Sequence, residues 1–326
     1  MTVRAYFEVT KIPNFQPPFD TIFLKVFYPA VSVSTEEAKR SLSVPADAAK
    51  APFPVVILFN GYNCEAFVYQ WLAENLAQRG LVVVTFNFVA EEFAGSVNLS
   101  PGGDFAASKP DIYGTKPTSV TLSTLLFKLE QLQAQGVLAG LLDLQSIVLG
   151  GHSAGGRIAI ENANPELFSQ VVASFGYGVH SMGYIMQGYP PGTVLPLPDK
   201  LPMLLLAGTN DGVIANNSEM YGIESGDATT PVMRTWNEAI TGGRNDNYVV
   251  LLEGANHFTI AHPLDSTTAR NSVDFPATQP VDSIRWLIAE TIGSFIGAYV
   301  QKQDGAFESL QQHLHDNSLV NSWHCK

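Results

Sequence analysis

The chain has 326 residues, of which 46% are hydrophobic, enough to bury the core of one large α/β domain. Its formal net charge of −12 and isoelectric point near 4.9 argue against nucleic acid as a partner, because phosphate binding depends on clustered Lys and Arg. The two cysteines, Cys64 and Cys325, cannot build a disulfide framework, and no Cys or His spacing indicates a metal site.

Eight apolar segments of β-rich composition predict eight strands, at residues 3–9, 22–28, 55–59, 81–86, 147–149, 171–175, 203–207 and 249–252. Helical spacing follows from the third strand onward, at residues 66–79, 119–133, 154–162, 232–239 and 282–301. Because parallel strands are joined by crossover helices, this alternation predicts an α/β fold with a mostly parallel sheet and helices on both faces. The short, turn-rich segment between the first two strands predicts an antiparallel hairpin at the sheet edge.

We expect a single domain over residues 1–302 and a polar C-terminal tail over residues 303–326. The domain is interrupted by four loop excursions, at residues 34–54, 89–118, 176–200 and 261–280. The last three leave the carboxyl ends of strands, where parallel sheets place their ligand sites. The third excursion combines glycines with aromatic and thioether side chains, which suit either an adaptable apolar pocket wall or simple packing onto the sheet edge.

The longest apolar stretch, residues 81–90, covers about half a membrane span and contains Thr85 and Asn87. It therefore predicts a buried strand, and we expect no integral membrane segment. The first residues have no long apolar run of the secretion-signal type. The sequence favours a cytoplasmic location, with peripheral contact to a membrane where that membrane carries the substrate.

Gly151-His152-Ser153-Ala154-Gly155 lies between a predicted strand and a predicted helix. A serine hydroxyl is a weak nucleophile and must stand exposed on a sharp turn, within reach of a base. Glycines on both sides keep the neighbouring backbone clear of such a turn. This context makes Ser153 a candidate nucleophile, and the alternative is an ordinary glycine-rich turn between a strand and a helix.

A base must accept the serine proton, and a carboxylate must orient that base. Asp211 follows the predicted strand at 203–207, and His257 follows the one at 249–252. Both lie at the expected edge of the sheet and in the order serine, acid, histidine. We predict Ser153, Asp211 and His257 as a catalytic triad, with local helix capping as the alternative role of Asp211.

Other acids and histidines fit these roles less well. Asp143 and Asp265 do not directly follow strong buried strands. His152 is expected to support the turn from behind, and His180 and His262 lie on loops from which they would contact substrate. The remaining histidines fall in the polar tail, at His313, His315 and His324.

A tetrahedral intermediate needs backbone N–H donors, one of which belongs to the residue after the nucleophile, here Ala154. Gly61 lets the loop after the third strand turn so that the Tyr62 N–H supplies the second donor. The alternative is a plain turn capped by Asn60 and Asn63, with Cys64 as a small buried hydrophobe. Predicted substrate contacts are Gly61, His152, Tyr177, Met182, Tyr184 and Phe258.

These motifs resemble those of α/β-hydrolases over about residues 55–300. The loop at 60–62 and the turns at 208–214 and 254–258 resemble the branch of chlorophyllases, cutinase-like enzymes and dienelactone hydrolases. Chlorophyllases share the Gly-His-Ser-x-Gly-Gly elbow, which residues 151–156 match. Dienelactone hydrolases carry a cysteine where this chain has Ser153, and many members of the branch carry a histidine where it has Asn60.

The resemblance implies a serine carboxylic ester hydrolase that acts on a small, hydrophobic ester through an acyl-enzyme, without metal or cofactor. Chlorophyllase, which cleaves the phytyl ester of chlorophyll, is the best named candidate. A general lipase or cutinase-like polyester esterase is the alternative within enzymes. A catalytically silent receptor with the hydrolase fold is the alternative from another class. The sequence leaves the oligomeric state open.

Overall fold

The computed structural model describes residues 2–32, 44–93, 95–224, 226–267 and 271–326. Within these ranges the chain forms one sheet of ten strands. The strands are β1 (Thr2–Lys11), β2 (Thr21–Ala30), β3 (Phe53–Phe59), β4 (Val82–Phe93), β5 (Ser96–Leu99), β6 (Leu142–His152), β7 (Val171–Tyr177), β8 (Met203–Gly208), β9 (Asn247–Leu252) and β10 (Val320–Cys325).

The described α-helices are α1 (Gln70–Gln78), α2 (Leu122–Ala134), α3 (Ala154–Glu161), α4 (Gly212–Asn216), α5 (Thr230–Arg234), α6 (Val281–Ile296) and α7 (Ala306–His315). Wider π-helical turns extend α5 over Thr235–Ala239 and α6 over Gly297–Gln301. All five predicted helical segments are therefore present, with boundaries shifted by a few residues. None of the described helices is both long and apolar enough to cross a membrane.

The spatial order of the strands is β1-β2-β4-β3-β6-β7-β8-β9-β10, and β5 pairs with β4 outside this path. The strands from β4 to β9 along this order pair in parallel. Antiparallel pairs join β1 to β2, β2 to β4, β4 to β5 and β9 to β10. The mostly parallel sheet and its N-terminal hairpin are confirmed.

Strand β3 shows why helices cover both faces. All seven of its residues are buried, and successive side chains point to opposite faces of a strand. Val56 and Leu58 belong to the core cluster that includes the apolar side of α1 and α6. Val55 and Ile57 belong to the opposite cluster, which includes α2. A continuous apolar run thus supplies two cores at once, as parallel strands in the middle of a sheet must.

Residues predicted as a tail form α7 and the edge strand β10. Leu310 and Leu314 of α7 are buried in the core, and Trp323 of β10 lies opposite Val250 of β9. The sequence did not predict β10, because its mixed polar and apolar residues are at most partly buried and show no regular apolar alternation. The predicted loop at 89–118 likewise contains the end of β4 and all of β5. Of the predicted excursion at 34–54, residues 34–43 lie outside the described residues.

Candidate active site

Ser153 stands between the last residue of β6 and the first residue of α3, with φ 54° and ψ −124°. Such a positive φ is uncommon for a residue with a side chain and stores local strain, a feature that clusters at functional sites. The Ser153 N–H donates to the Tyr177 carbonyl at 2.9 Å, which holds the turn against β7. The Ser153 hydroxyl makes no capping hydrogen bond to the start of α3.

The glycines of the motif are required by close contacts between backbones. A Cβ on Gly151 would lie 2.5 Å from the carbonyl carbon of Gly155, and a Cβ on Gly155 would lie 2.3 Å from the carbonyl oxygen of Asn60. These neighbours are main-chain atoms, which cannot rotate away. The two glycines therefore let β6, α3 and the end of β3 meet at the turn that presents Ser153.

Asp211 and His257 form a hydrogen-bonded pair. His257 Nδ1 lies 2.7 Å from Asp211 Oδ2, and the two side chains are only 2% and 1% exposed. The other carboxylate oxygen, Oδ1, accepts a 2.8 Å hydrogen bond from the Ile214 N–H at the start of α4. Asp211 thus serves both as a helix cap and as a partner of the histidine. With Nδ1 engaged, Nε2 is the ring nitrogen left to exchange a proton.

Ser153 and His257 line one cavity of about 800 Å³, which we call the elbow cavity. Ala154 and Tyr62, the predicted oxyanion donors, line it as well. Ala154 is the first residue of α3, and the first-turn N–H groups of a helix have no acceptor within that helix. The predicted nucleophile, base and oxyanion donors therefore border the same space.

The loop that carries Tyr62 is fixed from two sides. Asn60 Nδ2 donates to the Cys64 carbonyl at 2.8 Å, so the capping role considered for Asn60 is present. The Gly61 N–H donates to Tyr69 Oη at 3.0 Å, and Tyr69 Oη lies 2.8 Å from His152 Nδ1. Tyr69, which no sequence motif marked, therefore links this loop to the residue just before Ser153.

The structure places His152 beside the predicted base. Its ring centroid lies 4.6 Å from that of His257, and complete burial holds the pKa of His152 well below its usual range. The nearby His257 ring also disfavours the charged form of His152. His152 therefore acts as an uncharged support for the turn, although part of it reaches the cavity wall.

Four predicted substrate contacts line the elbow cavity, namely Gly61, His152, Tyr184 and Phe258. The structure corrects the other two. Tyr177 and Met182 are fully buried in the protein core, and Tyr177 Oη donates to the Asn256 carbonyl at 2.6 Å. Tyr177 thus braces the histidine turn from inside. The glycine-rich composition of this loop predicted a pocket wall, but it could not tell which side chains face inward.

The alternative acids and bases lie elsewhere. His180 is buried, and desolvation with nearby Arg157 lowers its pKa to about 3, so it remains neutral. Asp143 Oδ1 accepts from the Gln145 N–H in a local turn. Asp265 Oδ1 accepts from Thr267, and His262 is exposed. Among these side chains none belongs to the described lining of the elbow cavity.

A buried ion pair forms one wall of the elbow cavity. Arg157 Nε donates to Glu161 Oε1 at 2.7 Å, and Arg157 Nη1 donates to the Met182 carbonyl at 2.7 Å. Thr118 Oγ1 donates to the second Glu161 oxygen at 2.8 Å. The Arg157 guanidinium also lies 5.1 Å from the ring centroid of Tyr184. The i,i+4 spacing of this pair was readable in the sequence, but its burial was not.

No protein-family model and no curated protein matches this chain. Among solved structures, it is similar to a ferulic acid esterase from Streptomyces cinnamoneus, with a TM-score of 0.56 and 16% sequence identity. The similarity covers 92% of this chain and 91% of that chain. The chain has the α/β-hydrolase fold. At this identity the likeness concerns the fold, and the narrower chlorophyllase and cutinase-like branch stays a prediction.

The α/β-hydrolase fold explains why three turns distant in sequence come together. Ser153, Asp211 and His257 follow β6, β8 and β9, whose carboxyl ends all lie at one edge of the parallel sheet. One more carboxylate sits among these turns. Asp274, in the loop after the histidine turn, accepts hydrogen bonds from the N–H groups of Gly212 and Phe258. Its neighbours in sequence form no recognisable motif, and the sequence did not mark it.

Proposed function

We propose that this chain is a serine carboxylic ester hydrolase with Ser153, His257 and Asp211 as its catalytic triad. One observation carries the proposal: a serine on a strained strand-to-helix turn shares the elbow cavity with a histidine whose Nδ1 is held by a buried aspartate. Acyl transfer by a serine hydrolase requires a nucleophile, a base and an acid that orients the base. A triad is recognised by the geometry of these roles and not by sequence position.

In the proposed reaction, Ser153 Oγ attacks the ester carbonyl carbon while His257 Nε2 takes the hydroxyl proton. The N–H groups of Tyr62 and Ala154 stabilise the negative charge on the carbonyl oxygen. The C–O bond to the alcohol then breaks, and the imidazolium returns its proton to the departing oxygen. Water, deprotonated by His257, then attacks the acyl carbon; the bond to Ser153 Oγ breaks, the imidazolium returns its proton to Ser153 Oγ, and the acid is released. Asp211 keeps the ring oriented and stabilises its cationic form throughout.

The elbow cavity is of the size that takes a small organic molecule. Phe105, Ile158 and Phe258 contribute apolar side chains to its wall, which supports a hydrophobic ester as substrate. The resemblance of the elbow motif to that of chlorophyllases makes chlorophyll a candidate ester. The structural neighbour adds esters of ferulic acid, and the broader esterase hypothesis adds triglycerides and polyesters.

A fluorophosphonate probe tests the nucleophile independently of the substrate. We expect one probe molecule per folded chain, attached to Ser153, since the probe reacts with a serine that a base activates. The Ser153→Ala variant should remain unlabelled, and Ser283→Ala, which alters an exposed serine, should be labelled like the wild type. Intact-protein mass and peptide mapping measure the result. Folded protein without label would support the silent receptor instead.

A substrate panel then separates the esterase hypotheses. Initial rates on p-nitrophenyl butyrate, methyl ferulate, a triglyceride emulsion and chlorophyll are compared, with Ser153→Ala as the control. A kcat/KM for chlorophyll well above the other esters would establish the chlorophyllase hypothesis. Hydrolysis of p-nitrophenyl butyrate and methyl ferulate without chlorophyll turnover would reject it while supporting the esterase proposal.

A further inference from the structure

One carboxylate, that of Asp274, connects the two turns that carry the predicted acid and base. Its Oδ1 accepts hydrogen bonds from the N–H of Gly212 at 2.8 Å and from the N–H of His257 at 3.3 Å. Its Oδ2 accepts from the N–H of Phe258 at 3.1 Å. Gly212 directly follows Asp211 in the chain. Asp274 therefore holds the backbone of the acid turn and that of the histidine turn with a single side chain.

The main chain around Asp274 is tied to the same two turns. Asn210, beside Asp211, donates from Nδ2 to the Pro276 carbonyl. Asn256, beside His257, donates from Nδ2 to the Phe275 carbonyl at 2.7 Å. A Cβ on Gly212 would lie 2.2 Å from the Phe275 nitrogen, so this contact requires glycine. The loop thus braces both turns from outside the sheet, with Asp274 between them.

Asp274 also shares an electrostatic environment with the triad. Burial and the neighbouring Asp211 carboxylate raise the pKa of Asp274, whereas His257 acts in the opposite direction. Asp274 in turn contributes to the raised pKa of Tyr177, after burial and Asp211. His257 itself faces Asp211 and Asp274, together with His152 and His180, which burial keeps neutral. An ionised Asp274 therefore adds negative charge close to the imidazole that becomes cationic in the reaction.

We propose that Asp274 is a positioning residue for the triad: it fixes Asp211 and His257 relative to each other, and its charge helps to stabilise the His257 imidazolium. This inference rests on the proposed function of Ser153 and His257. Asp274 makes no contact with substrate in this proposal. It acts through its hydrogen bonds to the backbone of the two turns and through its negative charge. Its two components, geometry and charge, are separable by substitution.

Asp274→Asn removes the charge and one acceptor oxygen while keeping the shape of the side chain. We expect kcat on p-nitrophenyl butyrate to fall about 10-fold to 100-fold with little change in KM, because small displacements of catalytic groups have effects of this size. The acid limb of the kcat/KM profile should move to lower pH by about one pH unit, since removal of nearby negative charge disfavours the imidazolium. Asp274→Glu, which keeps the charge but displaces it, should lower kcat and leave the acid limb in place.

Asp282→Asn is the matched control, because that carboxylate is 93% exposed and has Arg285 as its ion-pair partner. It should leave both kcat and the acid limb unchanged. NMR titration of the His257 ring, in the wild type and in Asp274→Asn, measures the midpoint of ring protonation without substrate. This test therefore applies even if the protein turns over no ester. Equal midpoints in the two proteins would overturn the charge component, and an unchanged kcat in an active enzyme would overturn the positioning component. Lower thermal stability with both readouts unchanged would assign Asp274 a structural role only.

Discussion

Ser153→Ala is expected to lower kcat for ester hydrolysis by about 10⁶-fold, and Asp211→Asn by about 10⁴-fold. The first change removes the atom that attacks the carbonyl. The second keeps the 2.7 Å geometry of the pair but removes the charge that orients the His257 ring and favours its reactive tautomer. Single-turnover and steady-state rates on p-nitrophenyl butyrate measure both losses.

The double variant Ser153→Ala with Asp211→Asn should be no slower than Ser153→Ala alone, because residues that act as one unit do not contribute additively. Asp143→Asn, which changes the alternative acid in its local turn, should keep the wild-type kcat. Additive losses in the double variant would mean that Asp211 acts separately from Ser153. A large loss in Asp143→Asn with normal activity in Asp211→Asn would transfer the acid role to Asp143.

The fold was predictable because the signals of a central parallel sheet are local. Runs such as the one in β3 are apolar throughout, and the residues after β6, β8 and β9 are polar turns. Once the strands are known, parallel pairing places their carboxyl ends at one edge. The approximate neighbourhood of Ser153, Asp211 and His257 therefore follows from topology, and their assignment to a triad stays a prediction.

Contacts between loops were not predictable, because they depend on the path of irregular backbone. Tyr69 and His152 are 83 residues apart, and their hydrogen bond requires the turn before α1 to lie behind the elbow. Asp274 reaches Gly212 across 62 residues from a segment without secondary-structure periodicity. Tyr177 looked like a substrate contact because the loop around it is rich in glycine, yet strand alternation turns its ring into the core.

Glu161→Leu is expected to lower the free energy of unfolding by about 3–5 kcal/mol, because it leaves a buried guanidinium without its anion. The Arg157 and Glu161 side chains are only 11% and 3% exposed at the wall of the elbow cavity, so water has little access to the unpaired guanidinium. The substitution also leaves the Thr118 hydroxyl without its acceptor. Urea unfolding followed by circular dichroism measures the change.

Arg234 and Glu238 offer a matched control, since they form an ion pair with the same i,i+4 spacing on the surface, where their side chains are 33% and 46% exposed. Glu238→Leu should cost no more than about 1 kcal/mol, as exposed pairs of this kind contribute little. The double variant Arg157→Met with Glu161→Leu should recover most of the loss, because a buried pair replaced by apolar groups of similar volume is often close to neutral. Equal losses for Glu161→Leu and Glu238→Leu would show that burial does not decide the energy of the pair. A double variant as unstable as Glu161→Leu would show that packing around Glu161, and not the unpaired charge of Arg157, sets the loss.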